Sequence, residues 1–166
     1  MLGKKVLKAL NDQINAELGS AYQYLAMAAH FDSNNLEGSA RWMRRQAREE
    51  VGHAMRIFEF VHDRDARVSL AAIAQPNGQF ASTLAVWEAV LKQEQHVTSL
   101  IHALFRLAGD ENDYATQTML QWFITEQVEE ERTAKAILEQ VRMIGPTSSA
   151  IYFVDRHLGK EADAKA

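Results

Sequence analysis

Five ionisable residues occupy positions that long helices would otherwise fill with apolar side chains. They are Glu17, Glu50, His53, Glu94 and Glu130, and each lies on a stripe in which every third or fourth residue faces a core. Burying a carboxylate is costly unless it is neutralised or paired, so four carboxylates and an imidazole need a compensating charge. A multivalent cation supplies it most simply. Oxygen ligands with one nitrogen suit iron or manganese better than metals that prefer sulfur, although affinity alone leaves zinc open.

The spacing of these residues predicts two metal positions rather than one. Glu50 and His53 are three residues apart and share a helix face, so both can bind one ion, and Glu17 can join them from a neighbouring helix. Glu94 and Glu130 come from two further helices and can hold a second ion. In this arrangement Glu50 is placed to bridge the two ions.

The two halves of the chain repeat these polar residues at a constant distance of 77 positions, which is eleven heptads. The repeated pairs are Glu17 with Glu94, Glu49 with Glu126, Glu50 with Gln127, and His53 with Glu130. One helical hairpin therefore maps onto the other in register. We expect the polar residues to lie at one level of a bundle, where they can converge.

Long segments without proline favour an all-α fold, an antiparallel four-helix bundle in a single domain spanning residues 1–166. We predict helices over residues 2–31, 35–64, 83–109 and 113–144, with a short fifth helix over 148–158. Residues 32–35 offer N-caps for the second helix, Asn112 an N-cap for the fourth, and Gly109 a C-terminal stop for the third. A long crossover over residues 65–82, with turn residues at 75–78, would join helices two and three from end to end of the bundle.

Composition excludes several classes of function. The 166 residues carry a formal net charge of −4 and no cysteine. We therefore expect no nucleic-acid partner, no disulfide, no thiolate zinc site and no iron–sulfur cluster. No apolar run approaches the length of a membrane span, so we expect no membrane association and a soluble, cytoplasmic protein.

The motif Glu17, Glu50-x-x-His53, Glu94 and Gln127-x-x-Glu130 resembles the ferroxidase centre of the ferritins. Residues 1 to about 158 resemble the prokaryotic non-haem ferritins. The likeness includes the amino-acid sequence of residues 11–18 and 121–123 and the lengths of the helices. The resemblance implies an iron site formed by Glu17, Glu50 and His53, and a second formed by Glu50, Glu94 and Glu130. It also implies a third iron position held by Glu49, Glu126, Glu129 and Glu130.

The resemblance further implies supporting residues and an activity. Tyr24 would lie beside the site as a hydrogen-bonding or redox-active phenol, and Gln127 would lie behind the ligands. Gly52 stands where bacterioferritins carry the haem-binding methionine, so no haem is expected. The implied activity is oxidation of Fe(II) by O2 or H2O2, followed by storage of ferric mineral inside a homo-oligomeric cage of twenty-four subunits.

Three alternatives remain open at this point. The chain could be a di-iron oxidase or peroxidase that stores no iron, and iron loading would distinguish that activity from storage. It could be a bundle without metal, in which buried Glu and His side chains only fix the helix register. It could also resemble the miniferritin-type DNA protectors, but their metal site lies between subunits, whereas the 77-residue offset favours a site within one chain.

Overall fold

Five helices make up most of the computed structural model, which describes residues 2–145 and 149–164. The helices are α1 (Lys4–Ser33), α2 (Glu37–Asp63), α3 (Thr83–Asp110), α4 (Tyr114–Ile144) and α5 (Ile151–Ala164). The described residues contain no strand. The all-α prediction, four long helices followed by a short fifth, is confirmed.

The crossover between α2 and α3 sets the directions of the helices. Three side chains of α1 form hydrogen bonds with the crossover, and their partners follow in the same order along the chain. Asn11 accepts from the Ser69 amide, and Asn15 donates to the Ala72 carbonyl. Gln23 both donates to the Asn77 carbonyl and accepts from the Asn77 amide. The crossover therefore runs parallel to α1. Since it delivers the chain to the far end of α1, α3 returns antiparallel to α1 and packs against it. The predicted end-to-end crossover is thus present.

The core consists of two apolar clusters separated by a polar layer. The first apolar cluster includes Val6, Leu10 and Ile14 of α1, and the second includes Met27 and Phe31 of the same helix. The corresponding residues of α2, α3 and α4 divide in the same way. Between the clusters lie the side chains that define the polar layer: Glu17, Glu50, His53, Glu94 and Gln127. The seam register predicted from the sequence places these five residues at one level, as the repeat requires.

The turn between α1 and α2 differs from the prediction. Residues 32–35 close α1 instead of capping α2, because Asn35 adopts a left-handed backbone (φ 57°) and the Leu36 amide donates to the Phe31 carbonyl at 3.0 Å. Asparagine tolerates this conformation after a helix end. Leu36 is then the N-cap residue of α2 and makes no side-chain cap bond.

The turn between α3 and α4 follows the same pattern. Asn112 is the left-handed residue (φ 55°), so its predicted role as the N-cap of α4 is wrong. Asp113 is the cap, and its carboxylate accepts from the Thr116 amide at 3.2 Å. Gly109 lies inside α3, which ends one residue later at Asp110.

Helix α5 supplies the missing cap for α2. The Asp155 carboxylate accepts from the Gly38 amide at 3.1 Å, from the Ser39 amide at 2.7 Å and from the Ser39 hydroxyl at 2.8 Å. The two helices approach so closely at this point that a Cβ on Gly38 would lie 1.9 Å from the Asp155 carbonyl oxygen. The predicted start at Ser148 lies outside the described residues, and the helix continues to Ala164, beyond the predicted end at residue 158.

None of the described helices is both long enough and apolar enough to cross a membrane.

Candidate metal centre

Glu17, Glu50 and His53 form a compact buried group. One ligand atom from each lies within 4.8 Å of the others, and no other group of three such residues occurs in the described chain. Their exposed fractions are 0%, 3% and 7%. His53 Nδ1 lies 3.2 Å from Glu50 Oε2, while Glu17 Oε1 accepts from Gln13 Nε2 at 2.8 Å. The structure therefore brings together the three residues predicted to hold the first ion.

The electrostatics of this group suit a cation. Glu17 Oε2 is buried, and the Glu17 and Glu50 side chains lie within hydrogen-bonding distance of each other. Burial raises the pKa of Glu17 well above its usual range, and the nearby Glu50 carboxylate raises it further. The pKa of Glu50 is raised in the same way, first by burial and then by Glu94. Raised pKa values make protons compete with a cation for these carboxyl groups, so a bound cation would displace protons.

Aromatic rings hold the imidazole of His53 in place. Its ring centroid lies 5.4 Å from that of Trp122 and 6.0 Å from that of Phe123, both in edge-on arrangements. Arg56 in turn covers the Trp122 ring, with its guanidinium carbon 4.2 Å from the centroid. Packing thus limits the ring orientations that His53 can adopt.

Glu94 lies in the polar layer but outside the compact group of three. It accepts a hydrogen bond from the Tyr24 hydroxyl and another from Gln127 Nε2 at 3.3 Å. Burial raises the pKa of Glu94, and burial followed by the Glu94 charge raises the pKa of Tyr24 well above its usual value. Tyr24 and Gln127 therefore lie beside a predicted ligand as neutral hydrogen-bond donors.

Glu130 also lies outside the compact group. Its Oε2 accepts from Gln46 Nε2 at 3.1 Å, and its pKa is raised to about 7 by burial and then by the charges of Glu94 and Glu49. Burial removes water that would otherwise stabilise the ionised carboxylate, and each negative neighbour adds to that cost. The predicted residues of the second site are thus close enough to interact but hold other hydrogen-bond partners.

The residues predicted for a third position are less enclosed. Glu49 and Glu126 are partly buried and Glu129 is exposed. Glu49 and Glu126 lie close enough to raise the pKa of Glu130. These residues do not form a compact ligand group in the described chain, so their role as metal ligands stays a prediction.

Sequence reasoning assigned no role to several side chains that contact the site. Gln13 donates to Glu17 and Gln46 to Glu130, and Gln127 Nε2 also lies 3.2 Å from the Thr98 hydroxyl. One signal was available: Gln13 and Gln46 each stand four residues before a glutamate of the polar layer. That spacing places an amide one helical turn from a predicted ligand.

The arrangement has a counterpart among known proteins. A family model described as a ferritin-like domain matches residues 7–144. The chain belongs to the ferritin family. This ferritin is 40% identical over 159 residues to the bacterial non-heme ferritin of Staphylococcus aureus strain USA300, covering 96% of each chain. It is also 40% identical to the protein of the same name from Staphylococcus saprophyticus, with 95% of each chain covered.

Solved structures give the same family and fold. The ferritin superposes on an open-pore ferritin from the hyperthermophilic archaeon Archaeoglobus fulgidus with a TM-score of 0.94 and 47% sequence identity, covering 95% of this chain and 96% of the other. An engineered closed form of the Archaeoglobus fulgidus ferritin matches with the same TM-score, 46% identity, and 96% and 97% coverage. The ferritin-like four-helix bundle with a short C-terminal helix is therefore confirmed.

Proposed function

We propose that the chain stores iron, oxidising Fe(II) at a di-iron centre within each subunit and depositing ferric mineral inside an oligomeric cage. The observation that carries the proposal is the buried group of Glu17, Glu50 and His53, whose ligand atoms lie within 4.8 Å of one another, in a chain of the ferritin family. Those three residues would bind the first Fe(II). Glu94 and Glu130 would bind the second, with Glu50 between the two ions.

In this chemistry the protein supplies negatively charged ligands and the iron supplies the electrons. Two Fe(II) ions each give up one electron, and together they reduce O2 to H2O2 or H2O2 to two waters. Carboxylate oxygens are hard, anionic ligands, so they stabilise Fe(III) more than Fe(II) and favour the loss of an electron. Binding of Fe(II) and hydrolysis of Fe(III) both release protons, which pass to solvent.

Tyr24 and Gln127 would support this chemistry by orienting Glu94. Both donate hydrogen bonds to that carboxylate, so its oxygens are held before the second ion arrives. Glu49 and Glu126, which are partly buried and close enough to raise the pKa of Glu130, would take iron as it leaves the centre, together with the exposed Glu129. Haem has no part in the proposal.

The proposed oxidation predicts a specific mutant phenotype. Metal-free protein mixed aerobically with Fe(II) should develop ferric absorbance within the first turnovers, and Glu50→Gln should slow this phase by at least about tenfold because it removes the predicted bridging charge. Glu59→Gln, an exposed change on the same helix, is the matched control. Equal initial rates in Glu50→Gln and the parent protein would overturn the assignment.

Assembly into a cage is the second part of the proposal. A groove of about 830 Å³ runs between α1 and the crossover and is lined by Tyr22 and Leu25, each 48% exposed. Large apolar side chains at a groove are typical of surfaces that a partner covers, and a second copy of the chain is the partner that a symmetric homo-oligomer supplies. We propose twenty-four copies, as in the cage that the family resemblance implies, and a cytoplasmic location.

The rival function is a di-iron oxidase or peroxidase that acts on another substrate and retains its metal. The groove of about 830 Å³ is lined by none of the predicted ligands, so it does not supply a substrate pocket at the metal centre. Iron content after aerobic loading distinguishes the two functions. Storage predicts soluble protein carrying many more iron ions than the two or three predicted positions per chain, whereas retained iron limited to those positions would favour the rival.

A further inference from the structure

Arg45 is a buried cation whose nearest partner is not a carboxylate. The residue is 6% exposed, and no other Lys or Arg of the described chain is buried to this degree. Its Nη2 donates to Gln46 Oε1 at 2.7 Å, whereas its Nη1 lies 3.7 Å from Glu49 Oε1. Its guanidinium carbon also lies 5.6 Å from the centroid of the Trp42 ring. Burying a guanidinium is costly, and here its short hydrogen bond is directed to a neutral amide.

The bond from Arg45 determines which way the amide of Gln46 faces. A guanidinium has only donors, so the atom of Gln46 that meets it must be the carbonyl oxygen. The NH2 group of Gln46 then faces the opposite side, where it donates to Glu130 Oε2 at 3.1 Å. Without Arg45 the amide could rotate by half a turn and present its oxygen to the Glu130 carboxylate, which would repel it.

The contacts therefore form a chain from a fixed charge to a predicted ligand. Arg45 orients Gln46, and Gln46 holds one oxygen of Glu130, so fewer Glu130 conformers must be lost when its carboxylate binds a metal. Arg45 also lies beside Glu49, with Nη1 3.7 Å from Glu49 Oε1. Neither the bond from Arg45 to Gln46 nor the bond from Gln46 to Glu130 involves Glu17, Glu50 or His53.

We propose that Arg45 and Gln46 are a positioning pair that holds Glu130 for metal binding at the second site, so that losing either side chain weakens that site and leaves the first site intact. The inference rests on the proposed function because it assumes that Glu130 binds iron. It adds two residues that do not themselves touch the metal. Outer partners of this kind commonly change metal affinity by about 10–100-fold.

The test is anaerobic Fe(II) binding to the metal-free protein, measured by calorimetry, with anomalous scattering from Fe(II)-soaked crystals to assign occupancy to each site. Gln46→Met and Gln46→Leu both remove the amide donor to Glu130 without adding a charge beside it. We expect each to weaken the second binding step by about tenfold or more and to leave the first step unchanged. Arg45→Met should weaken the second step by a smaller factor, because the amide remains but is free to rotate.

Arg44→Met is the matched control. Arg44 is the preceding residue and carries the same charge, but it donates to the exposed Asp32 at 2.6 Å, so its removal should leave both binding steps unchanged. Thermal unfolding of each variant separates loss of a metal site from loss of the fold.

The proposal is overturned if the second step is unchanged or strengthened in both Gln46 variants. It is also overturned if Arg44→Met and Arg45→Met weaken that step equally, because the effect would then not depend on the hydrogen bond from Arg45 to Gln46. A parent protein that binds no Fe(II) would overturn the proposed function itself. Two binding steps that persist in every variant would overturn only the positioning role.

Discussion

Individual residues of the polar layer reduce the stability of the metal-free fold. Glu17, Glu50 and Glu94 are almost fully buried, and burial raises the pKa of each. A protein selected only for stability would fill these positions with apolar side chains, because the carboxyl groups lose more solvation than their hydrogen bonds return. The cost is consistent with a site that gains its stability when a cation binds.

Glu130 gives this cost a measurable pH dependence. Its pKa is about 7 in the folded chain against a reference value of 4.5, so the folded state holds more protons between those values. The contribution of Glu130 to the free energy of unfolding is therefore fully present below pH 4.5 and is lost as the pH rises through 7. The size of the full loss is about 3–4 kcal/mol.

We expect Glu130→Gln to flatten this dependence. Urea unfolding of metal-free protein, at one protein concentration and at pH 5 and pH 7.5, should show a larger fall in stability for the parent than for the variant. The Glu130 charge also raises the pKa of Glu50, so the difference reports Glu130 together with its effect on that neighbour. Parallel losses in the two proteins would contradict the raised pKa.

At the scale of elements, the docking of α5 depends on one carboxylate. Asp155 accepts three hydrogen bonds from the first residues of α2, and Leu36 provides no side-chain cap of its own. Negative charge at a helix N-terminus satisfies free amides and interacts favourably with the helix dipole. Helix α5 is therefore bound to the bundle through the start of α2.

Asp155→Ala should loosen this contact. Loss of the cap should lower the free energy of unfolding by about 0.5–2 kcal/mol and allow a protease to cut within α5 earlier than in the parent. Asp163→Ala is the control on the same helix, since its exposed pair with Arg41 at 3.5 Å contributes little. Equal proteolysis and equal stability in the two variants would show that Asp155 does not hold α5 in place.

The elements also show which kinds of information the sequence contains. The heptad register and the 77-residue offset predicted the polar layer and the grouping of Glu17, Glu50 and His53, because helical periodicity is local. The two turns were misread because asparagine serves both as an N-cap and as a left-handed residue after a helix. Asn35 and Asn112 take the second role.

Helical periodicity in the sequence did not predict hydrogen bonds between residues that are far apart along the chain. Asp155 reaches Gly38 across 117 positions and Gln46 reaches Glu130 across 84. No periodicity encodes such a pair, since each depends on how whole helices pack. The family resemblance named Tyr24 and Gln127 as neighbours of the site, and both donate to Glu94. The resemblance did not indicate that Gln13 donates a hydrogen bond to Glu17 or that Arg45 donates one to Gln46.

At the scale of the whole molecule, the groove beside α1 predicts how assembly can be disrupted. Leu25→Glu places a charge among the exposed apolar side chains that we propose a second copy covers. We expect smaller species in analytical ultracentrifugation with unchanged helical content by circular dichroism. Lys8→Gln, which changes the charge by the same amount at an exposed position of α1, should leave the assembly intact. A full-sized Leu25→Glu assembly would place the interface elsewhere.

The polar layer lies in the middle of the bundle, between two well-packed apolar clusters. Opening at this level exposes the backbone of all four long helices, so the frequency of opening limits how long a chain survives proteases. A cation that binds only the closed form makes opening rarer. If the polar layer binds metal as proposed, the same side chains would link the lifetime of each molecule to the supply of that metal.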